Sequence, residues 1–385
     1  VPLLNASTLP ELLERHRADG LAASLLSARY DDPSGYGRIV REEGTGDVLA
    51  IVEHKDATPA QREIREINSS VYVFDAAVLR RGLGGLGTDT GGSVRGPASV
   101  NGHTGLKVTF GRVPKSGVVP LGYTLDSIGP MARSAWDCAA LLEVMAGYAP
   151  TDPYAADEPV PTYTQALTGS VEGLKVGVAR PYFFDDEGLD PEVRDAVLAA
   201  VDELAAAGAV VSDVVVPMAK EAKEANTLTM VAEAFAYHRN DLAERWEVYG
   251  DKTRPIIGRG ALYNAADYAQ AQRFRTWFRR EVAKVLSEVD VIVTPAMLTP
   301  AERIDGMDMD KRLAGASFTG QWNLTGLPAC ATPVGFSSGG LPLSMQIVGK
   351  AFDEATVLSV AHAYQQTTEH HLAVPALPMV EAVPA

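Results

Sequence analysis

The run from Leu174 to Val216 constrains the fold more than any other stretch. Leu174 to Ala179 is short and apolar, as a buried strand is. Asp190-Pro191-Glu192 then marks a helix start. The aspartate side chain can accept the first free amides, and the proline is already shaped for the first helical position. Val193, Val197, Val201 and Leu204 recur at helical spacing, and Gly208 stops the run. Val210 to Val216 returns as a second strand. Strand, helix and strand in this order read as an α/β unit with a crossover connection.

Two more strands follow this pattern, Asp290 to Pro295 and Leu341 to Val348. The strands at 174–179, 210–216, 290–294 and 342–348 read as needing cover on both sides. Helices supply that cover. Trp136 to Met145 carries Ala140, Leu141, Leu142 and Met145 as its apolar stripe, and residues 218 to 247 are largely helical. Ala266 to Val289 turns Phe274, Trp277, Phe278, Val282, Val285 and Leu286 inward, with Arg273, Arg275, Arg279 and Arg280 as a solvated face. Asp353 to Gln366 is the last helix, and residues 149 to 164 are an irregular connection. The expected fold is α/β, a mixed twisted sheet flanked by helices over residues 82 to 372.

The opening of the chain reads differently. Residues 8 to 19 have a helical pattern, with Thr8 and Glu11 as a capping box. Residues 22–28, 36–41, 48–52 and 67–74 read as strands, and residues 75–81 as a helix start. This is expected to be a small partial α/β unit over residues 1–81, ahead of a larger domain at 82–385. The chain begins Val1-Pro2-Leu3-Leu4 and reads like the middle of something.

Charge and composition remove several function classes. A formal net charge of -15 argues against nucleic acid or an anionic membrane surface as a general partner. No apolar run approaches the length of a membrane span. Cys138 and Cys330 are too few for a disulfide scaffold and sit in apolar surroundings, as small buried residues do. His370 and His371 lack a third ligand at useful spacing, so no metal is expected. His238, among Tyr237, Arg239 and Asn240, reads as a structural or surface residue.

Chemistry concentrates in Gly84 to Lys107, which reads GGLGTDTGGSVRGPASVNGHTGLK. Glycines at this density allow tight turns and can aim several backbone N–H groups at one point. A serine beside such donors can be a nucleophile facing an anion-stabilising nest. A turn-rich connector with exposed serines fits the composition as well.

Thr88-Asp89-Thr90-Gly91-Gly92-Ser93-Val94-Arg95, then Pro97-Ala98 and Gly105-Leu106-Lys107, resembles the signature of the amidase signature family. Phe110-Gly111-Arg112-Val113-Pro114 and Leu125-Asp126-Ser127-Ile128-Gly129-Pro130 continue the pattern. The resemblance implies an amide hydrolase that works with a serine, a cis-peptide serine and a lysine, without a cofactor, on a small-molecule amide in the cytoplasm. It implies that Ser93 is the acyl-forming nucleophile and that Thr90, Gly91, Gly92 and Ser93 form the oxyanion hole. Asp89 and Arg95 would brace the loop, and Asn323 and Thr325 would line the substrate side. The family keeps its lysine and cis-serine upstream. Here Ser69 has the family spacing but a strand-forming context. Lys55, in His54-Lys55-Asp56, lies much closer to Ser93 than the family places its lysine.

The opening resembles a second family. Tyr36-Gly37-Arg38-Ile39-Val40, Val52-Glu53-His54-Lys55-Asp56-Ala57 and Ile64-Arg65-Glu66-Ile67-Asn68-Ser69 look like the uridylyltransferase domain of bacterial N-acetylglucosamine-1-phosphate uridylyltransferases. The resemblance implies vestigial amino-sugar contacts at Gly37, Glu53 and Asn68. The glycine-rich nucleotide loop and the metal-binding aspartates of that family are missing, and metal-assisted nucleotidyl transfer cannot run without them. Three readings therefore compete: an amidase-type hydrolase of weak or lost activity, a sugar-nucleotide transferase fragment, and a non-catalytic chimeric product.

Overall fold

The structure is a computed structural model that describes residues 23–29, 32–34, 38–41, 48–52, 57–74, 85–303 and 317–374. The helices expected at 8–19 and 75–81 lie outside the described residues. The chain divides into two compact units, Val1–Leu83 and Gly84–Ala385.

The first unit holds a four-stranded antiparallel sheet. Its strands are β1 (Ala23–Arg29), β2 (Arg38–Arg41), β3 (Val48–Val52) and β4 (Glu66–Phe74), in the order β1-β4-β2-β3. A short helix, α1 (Pro59–Arg62), precedes β4. Thr58 caps it with a capping box to Gln61, and Pro59 occupies its first turn, a helix the sequence pattern had not suggested. Along β4 the register passes from Asn68 opposite Ser27 to Val71 opposite Leu26, so Ser69 and Ser70 fall in a bulge.

The second unit is built on an eight-stranded mixed sheet. Its strands are β5 (Gly85–Asp89), β6 (Thr104–Lys107), β7 (Ser127–Ala132), β8 (Lys175–Ala179), β9 (Val210–Val214), β10 (Val291–Pro295), β11 (Ala329–Phe336) and β12 (Pro342–Val348). Their order is β5-β7-β6-β11-β12-β10-β8-β9. β8 runs parallel to both β9 and β10, and the remaining pairs are antiparallel. The flanking helices are α2 (Arg95–Val100), α3 (Ala135–Met145), α4 (Pro191–Ala206), α5 (Ala219–Arg245), α6 (Ala265–Glu288), α7 (Gly320–Thr325) and α8 (Glu354–Thr367).

The crossover read from the sequence is present. Asp190 accepts from the Glu192 amide, Pro191 opens α4, and Val193, Val197, Val201 and Leu204 are buried in one core with Val176, Val178, Ile292 and Met345. That core also takes Phe183, Phe278, Phe318 and Trp322, with Phe183 and Trp322 stacked at 5.8 Å. Both cysteines are free and buried.

Three details depart from the expectation. β9 forms an edge of the sheet and is not covered on both sides; Val210 is 55% exposed. An edge strand has one hydrogen-bonded neighbour, which is why Ser212 and Asp213 are tolerated there. In α3 the fully buried residues are Ala135, Cys138, Ala139 and Leu142, while Leu141 and Met145 of the expected stripe pack half-buried against the same core. In α6 Arg275 is buried and not solvated. Its Nε donates to the Leu324 carbonyl at 2.7 Å, and its guanidinium also reaches the Thr124 hydroxyl and carbonyl. Arg279 likewise donates to the Thr325 carbonyl at 2.9 Å. These two arginines tie α6 to the end of α7.

Candidate active site

β5 ends at Asp89 and α2 begins at Arg95, so residues 90–94 turn from strand to helix in five residues. Asp89 and Arg95 are fully buried and paired fork to fork. Arg95 Nη2 donates to Asp89 Oδ1 at 2.9 Å and Arg95 Nε to Oδ2 at 3.0 Å. The same carboxylate accepts from the amides of Gly92 at 2.7 Å, Val94 at 3.2 Å and Arg95 at 3.4 Å.

The rest of the Arg95 fork is tied to distant elements. Nη1 donates to the Thr319 carbonyl at 3.0 Å and to Gln346 Oε1 at 2.6 Å, and Nη2 donates to Asn323 Oδ1 at 2.6 Å. Asn323 Nδ2 donates back to the Asp89 carbonyl and carboxylate at 2.8 and 2.9 Å. Gln346 is held in turn, donating to Thr294 Oγ1 and the Phe318 carbonyl. Buried charge is tolerable here because every side of the pair is bonded.

Burial alone would raise the Asp89 carboxyl. The Arg95 charge and hydrogen bonds, with help from Lys107 and Asn323, outweigh it and hold the group well below the usual carboxylate range. Lys107 is buried at the end of β6, and its Nζ donates to the Val108 carbonyl at 2.9 Å. Burial and the neighbouring Arg95 push it down to about 7, against the opposing pull of Asp89 and Glu354.

The loop itself is held residue by residue. The Thr90 hydroxyl donates to Asp126, whose carboxylate also accepts the Leu121 and Gly122 amides. The Thr90 carbonyl accepts from Asn226 Nδ2 at 3.3 Å. The Gly91 carbonyl accepts from the Thr319 hydroxyl, and the Gly92 carbonyl from the Gly96 amide at 2.7 Å. Gly92 has φ +132°, and a Cβ there would collide with the Thr319 side chain, so this position admits glycine.

Ser93 is exposed, and its hydroxyl makes no hydrogen bond among the described residues. The Gly91 and Ser93 amides likewise have no acceptor among them, whereas the Gly92 amide is turned inward to Asp89. The loop thus carries an exposed serine and two backbone donors that are unbonded among the described residues, the kinds of group that a nucleophile and an oxyanion site need.

Asn323 belongs to the buried clamp, and the Thr325 hydroxyl donates to the Trp322 carbonyl of its own helix. Ser69 and Asn68 are in β4 of the first unit; Lys55, Gly37 and Glu53 lie outside the described residues. His238 bonds the Tyr249 hydroxyl and the Pro120 carbonyl at 3.0 and 3.2 Å. Among the described residues no three His, Cys, Asp or Glu side chains gather as metal ligands, and no helix is long and apolar enough to cross a membrane. Sequence reasoning had missed Lys107, Asn226, Thr319 and Gln346 as parts of this site. Only Lys107 carries a local signal, as the last residue of the Gly105-Leu106-Lys107 run.

The Amidase family model matches residues 76–358. An amidase of Pseudomonas putida is 43% identical over 294 residues, which are 74% of this chain and 62% of that protein. A glutamyl-tRNA(Gln) amidotransferase subunit from Roseiflexus sp. (strain RS-1) is 41% identical over 320 residues, 76% of this chain and 65% of the relative. This chain therefore spans less than two thirds of the length of either. Among solved structures, the corresponding glutamyl-tRNA(Gln) amidotransferase subunit from Thermotoga maritima superposes with a TM-score of 0.65 at 30% identity, covering 74% of this chain and 62% of that one. The 6-aminohexanoate cyclic dimer hydrolase, solved with its substrate, gives 0.68 at 26% identity, covering 78% and 67%.

Proposed function

This chain belongs to the amidase family, and on that premise we propose that it hydrolyses the carbon–nitrogen bond of small primary or aryl amides through Ser93, with weak activity. The observation that supports the reading is the loop built on the Asp89–Arg95 pair, which leaves an exposed serine and two amides unbonded among the described residues. Ser93 Oγ attacks the amide carbonyl carbon, and the Gly91 and Ser93 N–H groups hold the oxygen as it gains charge. Collapse breaks the carbon–nitrogen bond, the amine leaves with the proton that the serine gave up to solvent, and water then hydrolyses the acyl-serine to the carboxylic acid and the free hydroxyl.

The expected weakness rests on the sequence upstream of Ser93, which departs from the family's lysine and cis-serine pattern. A serine hydroxyl is a poor nucleophile near neutral pH until a partner takes its proton. Among the described residues no side chain bonds the Ser93 hydroxyl. Lys107 is engaged with the Val108 carbonyl. Ser69 and Lys55, the relay candidates, belong to the first unit. Donors and binding alone retain part of such catalysis. In this proposal residues 82–385 are a shortened amidase signature-like domain and residues 1–81 a nucleotidyltransferase-like fragment without its own chemistry.

The test is turnover of small amides and fluorophosphonate labelling in the parent, Ser93→Ala, Ser69→Ala and Lys55→Ala proteins. We expect slow turnover and labelling that disappear with Ser93→Ala alone. Robust turnover surviving Ser93→Ala would remove the nucleophile assignment. Robust turnover lost in all three variants would show that the first unit supplies the relay.

A further inference from the structure

The two free donors on the open face are aimed by different means. In a trans peptide the carbonyl and the following N–H point in opposite directions. Whatever holds a carbonyl therefore sets the direction of the next amide. The Gly92 carbonyl is held by the Gly96 amide, so the Ser93 N–H is aimed locally by the first turn of α2. The Gly91 N–H has no such local aid. The carbonyl opposite to it, that of Thr90, is bonded by Asn226 Nδ2 at 3.3 Å, from α5 on the far side of the sequence.

Asn226 is an expensive choice for a merely structural role. It is 3% exposed, and its Oδ1 is buried with no hydrogen-bond partner among the described residues. A buried acceptor left unbonded costs stability that an apolar residue would not. Its Nδ2 is wedged against two glycines, 3.4 Å from the place a Cβ would take at Gly91 and 3.2 Å at Gly320. Space has been left on both neighbours for the side chain that reaches Thr90.

We infer that Asn226 is a positioning residue for the oxyanion donor: by holding the Thr90 carbonyl it turns the Gly91 N–H to the accessible face on which Ser93 stands. This deepens the proposed function and rests on it for the meaning of the donor, although the hold on Thr90 stands by itself. Asn226 bonds the Thr90 carbonyl and not Ser93; it acts through one peptide plane.

The experiment compares the full chain with Asn226→Ala and Asn226→Asp, and with Thr229→Ala as a control in the same helix. The aspartate keeps the shape but replaces the donor with an acceptor. Only six Thr–Gly pairs occur in the chain, so Thr carbonyl-carbon and Gly amide-nitrogen labelling isolates the Thr90–Gly91 peptide in a sparse spectrum. The expected result is a moved Thr90–Gly91 signal in both Asn226 variants and not in the control. The fluorophosphonate labelling rate at Ser93 should fall roughly ten- to a hundredfold at saturating probe, with little change in probe affinity. Melting temperature in Asn226→Ala should hold or rise, which a structural role would not allow. An unmoved Thr90–Gly91 signal would overturn the inference, as would unchanged labelling in a protein whose parent labels at Ser93. A parent that does not label at Ser93 would sink the reading of the nucleophile, and the spectrum would still decide whether Asn226 holds the peptide.

Discussion

Asp89 and Arg95 on the buried side of the serine loop stand against Ser93 on its open side, seven residues that span the extremes of the molecule. Below, two opposite charges are fully buried and bonded to backbone and side chains from β5, α2, α7 and β12. Above, the hydroxyl of an exposed serine and two amides are bonded to nothing among the described residues. The difference separates two requirements of a preorganised site. The charged pair that fixes the loop is saturated, and the groups proposed to meet a ligand are left unbonded among the described residues.

Breaking the buried side should cost most. Arg95→Ala leaves the Asp89 carboxylate without its charge partner and frees the Thr319, Asn323 and Gln346 acceptors. A loss of about 4 kcal/mol is expected, the usual scale for removing one member of a buried pair. All four tryptophans lie in the second unit, so urea unfolding followed by their fluorescence reports on it. A loss below about 1 kcal/mol would mean that the clamp is dispensable.

The next effect is a pH slope. Lys107 is pushed from its ordinary 10.5 down to about 7 by burial and by Arg95. Below that value folded and unfolded chains both hold the proton and the penalty of burying the charge is whole. As pH rises toward 10.5, the unfolded chain keeps a proton that the folded chain has released, so stability should climb. The parent should gain up to about 3 kcal/mol relative to Lys107→Met between pH 7 and 10. Parallel stability curves for the two proteins would show Lys107 charged inside the fold.

The smallest effect belongs to the open side. Ser93→Ala removes an exposed hydroxyl with no internal partner, so stability should change by less than about 0.5 kcal/mol while labelling is lost. A destabilisation above about 1 kcal/mol would reveal an internal bond and erase the contrast between the two faces.

What the sequence discloses follows the same division between local and remote. The cap at Asp190-Pro191, the α4 stripe and the buried β10 were legible because their causes lie within a turn or a strand. The free donors of Gly91 and Ser93 were legible as a glycine-rich run beside a serine. Arg275 departs from the solvated face expected of it because periodicity reports where a side chain points but not the carbonyl of Leu324 waiting there, whereas Arg273, Arg279 and Arg280 are exposed as expected. β9 was misjudged because the position of a strand in its sheet is set by neighbours far along the chain. Asn226, Thr319 and Gln346 left no trace near Ser93, since each acts across a separation that no local pattern records.

That separation orders events during synthesis. Arg95 needs the Thr319 carbonyl, Asn323 and Gln346, residues that leave the ribosome long after the loop itself. Contacts between such distant residues also carry the loop-closure entropy that slows folding. The strand-to-helix turn at Ser93 is among the first parts of the second unit to be made and among the last to be finished. Until β12 is in place, its charged pair must wait in water, and a nascent chain halted short of Gln346 would carry the serine without the clamp that shapes its loop.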